Sequence, residues 1–151
     1  MSMKKKAFTM IELIFVIVIL GILAAVAIPK LAATRTDAEL SMLAQNIMTG
    51  CSEIASFAIA QGNTDDNLNI MSNSISTLSN SGIAVLTPKK AVIKVGGDTN
   101  CVTIEILKNT TDDNLSLTVN LVSLDEKCLN LQTIIDTAKY PMKLRGQYVK
   151  R

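Results

Sequence analysis

The chain has 151 residues, of which 48% are apolar and only 3% aromatic, and this length fits one domain with an appendage. Its formal net charge is +2, but without the three lysines at 4–6 it has 12 basic against 13 acidic side chains, so bulk charge does not indicate a polyanion-binding protein. The sequence has no histidine, nucleophile elbow, CxxC pair or phosphate-binding loop, so we do not expect an enzyme.

A long apolar run begins shortly after the basic N-terminus. It extends from Leu13 to Ile28 and ends at Pro29. Residues 8–28 would make roughly 31 Å of helix, which matches a hydrocarbon core about 30 Å thick. Because lysine-rich flanks stay cytoplasmic, residues 31–151 are expected on the other side of the membrane.

A single acid, Glu12, stands at the start of this run. A charged side chain at the centre of a span costs roughly 2.5–3.5 kcal/mol or more, so an ionisable residue at membrane depth indicates a function. An ordinary secretory signal cleaved at Ala25-Val26-Ala27 and an uncleaved anchor are two interpretations of the segment. Neither gives Glu12 a role, and the helical pattern that resumes after Pro29 argues against the first.

The segment KKKAFTMIEL at residues 4–13 closely resembles the processing site of type IV pilins and of type II secretion pseudopilins. The resemblance extends to about residue 40. It implies that a prepilin peptidase cleaves between Ala7 and Phe8 on the cytoplasmic side, N-methylates Phe8 and leaves residues 1–7 as a removed leader. Ala7 departs from the family pattern, in which glycine usually precedes the cut.

Cleavage there would supply a partner for Glu12. The new amine of Phe8 would be a cation at the same depth, and the two residues are spaced i and i+4 on one helix, so they could pair within one chain. The resemblance implies pairing with the amine of a neighbouring subunit instead, so that Glu12 drives and registers subunit addition. It also implies that Gly21 and Pro29 loosen the helix, although both residue types are common in membrane helices.

After Pro29 the pattern becomes amphipathic. Gly62 gives a helix-end signal, so one helix from Phe8 to about Gln61 is predicted, with 8–29 as the membrane and assembly part and 30–61 as its continuation. The residues that form one apolar stripe on the continuation are Leu40, Leu43, Ile47, Cys51, Ile54 and Ala58. Such a stripe indicates a face packed on a globular core.

Residues 62–151 are predicted to form a globular head. A connecting segment, 62–90, contains one short helix that starts near Thr64. From Ala91 the apolar period changes to two, which predicts an antiparallel sheet over 91–151. Its predicted strands cover 91–95, 102–106 and 115–121, with turns at 96–100 and 109–114 and a fourth strand near 140–148.

The fold class is therefore α+β: a long N-terminal helix, transmembrane in its first half, with a small antiparallel sheet packed on its second half. The pilin family has the same layering. An export-type N-terminus indicates an oxidising compartment for the three cysteines. We predict a disulfide between Cys101 and Cys128 and a free, buried Cys51, while the other two pairings stay open.

The motif Thr-Asp-Asp-Asn-Leu occurs at 64–68 and again at 111–115. Its oxygens suit calcium, and some pseudopilins bind calcium in the globular domain, but the motif alone has too few ligands. We favour helix starts and turns as its role, with no metal or cofactor.

Basic residues also cluster near the C-terminus. Pilin-like proteins of DNA-uptake systems can contact DNA, and phosphate contacts need such a cluster. We favour a solvated basic strand edge instead. The residues concerned are Lys139, Lys143, Arg145, Lys150 and Arg151.

The sequence therefore predicts a structural subunit, anchored by a single pass in the inner membrane with its head in the periplasm. It would assemble with copies of itself or other pilin-like subunits into a type IV pilus-like filament or a type II secretion pseudopilus. The system, and the rank of major or minor subunit, stay open. The alternative is a tethered or secreted domain that binds calcium, DNA or a periplasmic partner. No small-molecule substrate is expected.

Overall fold

The computed structural model describes residues 8–108 and 112–144. The elements in chain order are α1 (Met10–Gln61), α2 (Leu68–Met71), α3 (Asn73–Asn80), β1 (Ala84–Thr87), β2 (Lys90–Val95), β3 (Asp98–Lys108), β4 (Asp113–Val119), α4 (Glu126–Ile134) and β5 (Met142–Lys143). The predicted α+β class, with a long N-terminal helix followed by a small antiparallel sheet, is confirmed. The chain divides into two compact units, one up to Glu39 and one from Leu40 onward.

The first unit contains the N-terminal part of α1. Every residue from 8 to 35 is exposed, and aliphatic side chains occupy all sides of the helix. By length and composition alone α1 is long and apolar enough to cross a membrane, and none of its apolar stretch is buried in the molecule. A helix that is apolar all round is stable only when lipid or other protein surrounds it.

The second unit contains a five-stranded antiparallel sheet in the order β1-β2-β3-β4-β5. Each strand pairs with the next along the chain, and the connection from β4 to β5 contains α4. Ile104 of β3 lies opposite Ala91 of β2 and Leu117 of β4, and directly paired residues point to the same face. One face of the sheet is therefore apolar.

The stripe on α1 and the apolar face of the sheet share one hydrophobic core. The buried stripe residues are Leu40, Ala44, Ile47, Cys51, Ile54 and Ala58, while Leu43 is partly buried at the margin. Each Leu or Ile withdrawn from water stabilises the fold by about 1.5–3 kcal/mol, so this shared core supplies much of the head's stability.

Helix α3 approaches α1 closely at Gly50. A Cβ at this position would lie 2.8 Å from Cδ1 and 2.9 Å from Cγ1 of Ile75, which is fully buried. Glycine is therefore needed for a close approach, inside a helix where it otherwise weakens the backbone.

Glu53 of α1 forms hydrogen bonds to the start of α3. Its Oε2 accepts hydrogen bonds from the Ser72 hydroxyl at 2.6 Å and from the Ser74 N–H at 2.9 Å. Ser72 is the N-cap of α3, and its Oγ accepts from the Ile75 N–H at 3.0 Å. These hydrogen bonds, that from Ser72 first, lower the pKa of Glu53 below its usual value.

The connecting segment is more ordered than predicted. The single expected helix is two, because Ser72 is extended (φ −147°) and separates α2 from α3. Strand β1 was not predicted, and it extends the sheet before Ala91. Its hairpin to β2 turns on Pro88 and on Lys89, which has φ +60°, where glycine or asparagine would have given a clearer turn signal.

Helix α4 was also missed by the sequence prediction. Asp125 is its N-cap and accepts from the N–H groups of Lys127 and Cys128. Cys128, Leu131 and Ile135 are buried at steps of three and four, so a cap followed by a helical stripe was available in the sequence. The short apolar repeat was obscured by the polar residues between.

Two predicted strands end earlier than expected. Strand β4 stops at Val119, so Leu121, predicted as an inward strand residue, lies in a turn and is 84% exposed. Strand β5 has only Met142 and Lys143: Tyr140 and Leu144 are described but lie outside the strand, and Tyr148 lies outside the described residues.

The predicted disulfide is present and joins Cys101 of β3 to Cys128 near the start of α4, with a Cα–Cα distance of 5.6 Å. Closing a loop of 27 residues stabilises a fold by about 3–4 kcal/mol in the chain-entropy model. Cys51 is free and buried, as predicted. Burial raises the pKa of its thiol to about 11, and a hydrogen bond with Tyr140 only partly opposes this shift.

We expect Glu53→Ala to lower the free energy of unfolding by about 1–3 kcal/mol, since it leaves the Ser72 hydroxyl and the Ser74 N–H without their acceptor. The measurement is urea unfolding of the full chain in detergent. The matched control is Glu39→Ala on the same helix, which removes only an exposed pair with Arg35 and should change little.

The effect of Glu53→Ala should also depend on pH. Because the pKa of Glu53 is lowered by folding, its contribution is complete above the unfolded value of 4.5 and is lost as pH falls through the folded pKa. Native chain and variant should therefore converge in stability in acid. A difference that stays constant from pH 7 to pH 2 would contradict the assigned role of the carboxylate.

Thiol titration tests the cysteine arrangement. The folded, unreduced chain should react with no thiol reagent at pH 8, because Cys51 is buried and its thiol ionises only near pH 11. After denaturation without reductant, one thiol per chain should react, and after reduction all three. Three reactive thiols before reduction would exclude the disulfide.

Candidate functional site at the start of the long helix

The start of α1 is closed by a capping box made of Thr9 and Glu12. The Glu12 N–H donates to Thr9 Oγ1 at 3.3 Å, and the Thr9 N–H donates to Glu12 Oε2 at 2.9 Å. The Thr9 hydroxyl also donates to Glu12 Oε2, at 2.8 Å. A Thr-x-x-Glu pattern before an apolar run is the sequence signal for this arrangement, so the capping box could have been predicted from Thr9 and Glu12.

The capping box gives the carboxylate local support at the helix end where a negative charge is best placed. The unpaired N–H groups of the first turn and the helix dipole both favour an anion there. The sequence predicts a cation as the partner of Glu12. The structure adds Thr9 as a hydrogen-bonding partner on the same helix, and it is one residue from the predicted new terminus at Phe8.

The predicted cleavage site lies at the border of the described chain. Phe8 is described and its side chain is 84% exposed, whereas Ala7 and the leader lie outside the described residues. Cleavage and methylation therefore stay predictions, as does the pairing of Glu12 with an amine.

Gly21 and Pro29 both lie within α1. Nothing approaches within 4 Å of a Cβ built on Gly21, so no packing contact within the described chain explains this glycine. Pro29 has no N–H to donate to the carbonyl of Ala25, so the helix lacks one hydrogen bond of its ladder there. A loosening role for these two residues stays a prediction.

The first Thr-Asp-Asp-Asn-Leu repeat surrounds the start of α2. Asn67 is the N-cap and accepts from the Asn69 N–H, while Asp65 accepts from the Asn67 N–H at 2.7 Å. Thr64 donates to Asp113 of the second repeat at 2.6 Å. These side chains thus serve a helix start and a contact between the repeats, and the described residues contain no cluster of metal-binding side chains.

Two of the five basic residues near the C-terminus are described. Lys139 lies 3.7 Å from the carboxylate of Asp136, and Lys143 lies 3.7 Å from that of Asp112. Arg145, Lys150 and Arg151 lie outside the described residues. Both described lysines are therefore next to an acid, which reduces the positive field that a nucleic acid would meet.

A comparison with protein-family models matches residues 2–28 to the prokaryotic N-terminal methylation motif. No curated protein and no solved structure matches the chain. The matched region includes residues 2–7 of the predicted leader, the capping box and the whole apolar run from Leu13 to Ile28. The chain thus carries at its N-terminus the motif that is the hallmark of the type IV pilin and pseudopilin family.

Proposed function

We propose that this protein is a structural subunit of a pilus-like filament, either a type IV pilus or a type II secretion pseudopilus. The observation that carries the proposal is the methylation motif at residues 2–28. Most of this motif lies in the N-terminal part of α1, which is apolar on all sides. A prepilin peptidase would cleave after Ala7 and methylate Phe8. The apolar N-terminal part of α1 then serves as membrane anchor before assembly and as filament core after it.

The apolar part of α1 supports both roles. Its side chains are exposed within the single chain, so they need lipid in the stored subunit and neighbouring helices in the filament. Lipid is as apolar as leucine, and exchange of one for the other gains little free energy. The register of assembly must therefore come from polar groups, and Glu12 is the acidic residue of the apolar part.

Glu12 would register assembly through the amine that cleavage creates. In the stored subunit, the Thr9 hydrogen bonds hold the carboxylate at the helix start. The amine of Phe8 in a neighbouring subunit would add a charged partner at the same depth. A partner of opposite charge in a low dielectric is favoured strongly only when the two groups meet, so incorrect registers are disfavoured.

The head of the protein is a folded unit that could form the surface of a filament. Its core is closed by the α1 stripe, and a disulfide ties β3 to α4. A disulfide of this kind persists in the periplasm and outside the cell. We therefore place the head in the periplasm and then on the outside of the filament.

N-terminal sequencing with mass analysis tests the processing. Chain purified from cells that contain a prepilin peptidase should begin at methylated Phe8. An N-terminus at Ile28 would indicate a secretory signal, and a chain that keeps residues 1–7 would indicate a plain anchor. Ala7→Gly should be processed at least as fast as the native chain, because glycine is usual before the cut.

Replacement of Glu12 by leucine tests assembly apart from processing. Glu12→Leu should still be inserted, cleaved and methylated, but its recovery in sheared filaments should be abolished. Glu39→Leu is the matched control and should assemble, since Glu39 pairs only with exposed Arg35. Normal assembly of Glu12→Leu would refute the registering role of the carboxylate.

A further inference from the structure

Helix α1 contains the Thr-x-x-Glu pattern of its capping box a second time, from Thr36 to Glu39. In the structure this second copy lies in the interior of the helix, where the backbone N–H groups have helical acceptors and need no cap. The Thr36 hydroxyl donates to the carbonyl of Ala32 at 3.3 Å, and Glu39 pairs with Arg35 at 3.0 Å. The pattern can therefore act as a cap only if the helix before Thr36 opens.

The helix is weakly held just before this point. Pro29 has no N–H to donate to the carbonyl of Ala25, so one hydrogen bond of the ladder is missing. The Thr34 hydroxyl donates to the carbonyls of Lys30 and Leu31, at 3.2 Å and 3.0 Å. Threonine hydroxyls that bond in this way slightly destabilise a helix and often bend it, because they compete with the backbone.

The residues from 30 to 35, which we call the hinge segment, also receive little support from packing. All of them are exposed, and the first buried residue of the stripe is Leu40. A bilayer around the apolar run, which ends at Ile28, would not cover them. Since a short piece of helix in water is only marginally stable, its exposed backbone hydrogen bonds open at low cost. The division between the two compact units follows shortly afterwards, at Glu39.

We propose that α1 opens over the hinge segment and restarts at Thr36. In the open form Thr36 is the N-cap: its Oγ1 accepts from the Glu39 N–H, and the Glu39 carboxylate accepts from the Thr36 N–H. Asp37 and Glu39 then lie in the first turn, where the helix dipole favours negative charge. The inference concerns the single chain, so it goes beyond the proposed function and does not depend on it.

The restart keeps the head intact while the chain before it lengthens. Leu40 is the fourth residue after the new cap, so the whole buried stripe of α1 stays helical. The hinge segment spans roughly 9 Å as a helix and roughly 20 Å when extended, so opening adds about 11 Å of reach. The second unit can therefore change its distance from the apolar run without loss of its own core contacts.

A second threonine competes for the role of cap. Thr34 is followed three residues later by Asp37, which gives a related Thr-x-x-acid pattern. The capping box favours glutamate or glutamine at the last position, because the longer side chain reaches back to the N–H of the cap. We therefore assign the restart to Thr36, and the two assignments predict different effects of substitution.

Amide hydrogen exchange of the full chain in detergent micelles, resolved residue by residue, tests the opening. The amides of 33–38, apart from Thr36, should exchange about tenfold or more faster than those of 43–58, because opening removes their acceptors. The amides of Thr36 and Glu39 should exchange about fivefold more slowly than these neighbours, since the second box bonds them. Equal protection over 30–43 would overturn the inference, and so would fast exchange that continues past Glu39 as far as residue 43.

Substitution of Thr36 tests the cap itself. Thr36→Val removes the hydroxyl and keeps the branched shape, so the amides of 39–42 should exchange about fivefold faster in the restarted helix. Thr36→Ser keeps a capping hydroxyl and should match the native chain. Thr34→Val is the matched control, since it makes the same change two residues earlier and should leave 39–42 unaltered. No effect of Thr36→Val, or an equal effect of Thr34→Val, would overturn the assignment.

Urea unfolding of the same variants separates a local cap from a general loss of stability. The closed helix does not use the second box, so Thr36→Val should leave the urea midpoint almost unchanged. A lowered midpoint together with faster exchange throughout α1 would contradict the role of the cap. The outcomes also stand apart from assembly. If the chain is processed but forms no filament, the proposed function fails alone, and if filaments form while exchange is uniform over 30–43, only the hinge fails.

Discussion

Helix α1 has to be stable in two different surroundings, because its N-terminal part is exposed and its C-terminal part packs in the core of the head. The rest of the molecule depends on this helix. Over residues 8–35 its side chains are exposed on all sides and most are aliphatic. From Leu40 to Ala58 only one stripe is buried. A sheet with one apolar face is not stable alone and needs a second layer over it. The stripe supplies this layer, so the head is completed by the same helix that carries most of the methylation motif.

A recurring feature of the structure is a carboxylate that accepts hydrogen bonds at the start of a helix. Glu12 accepts the Thr9 N–H at the start of α1, Glu53 accepts the Ser74 N–H at the start of α3, and Asp125 accepts the first N–H groups of α4. In each case the acid satisfies donors that a helix cannot satisfy itself. Glu53 and Asp125 also join separate elements. Capping therefore orders the connections of the head as well as its helices.

The spacing of apolar residues predicted those elements in which the pattern extends over many residues. The stripe on α1 and the alternation in β2 and β3 extend over enough residues to indicate their partners. Strand β1 has four residues and turns on a lysine with positive φ, so neither its length nor its turn gave a clear signal. Helix α4 has a cap but buries only Cys128 and Leu131, so its apolar stripe is too short to be a clear signal, and much of its stability comes from the disulfide and other tertiary contacts.

For the candidate site and the surface too, features set by contiguous residues were predicted from the sequence, and features set by long-range contacts were not. The methylation motif is contiguous, so the sequence sufficed to recognise it. The exposure of Leu121 was not predicted, because alternation with Leu115 and Leu117 placed it on the inner face of a longer strand. The strand ends at Val119 since Asn120 turns the chain toward Cys101 and Gln132. Leu121 thus has the pattern of a core residue, but long-range hydrogen bonds end the strand before it and leave it on the surface.

The capping box also changes the energetics of Glu12. A carboxylate at membrane depth with no partner would be so costly that it would accept a proton or destabilise the stored subunit. The hydrogen bonds from Thr9 offset part of that cost before any cation arrives. In the described chain they all reach Oε2, which leaves Oε1 for a second partner. If the amine of a neighbour pairs with Glu12, as proposed, it can do so without loss of the cap. Charge pairing would then supplement the cap, so its free energy would favour assembly instead of only replacing lost hydrogen bonds.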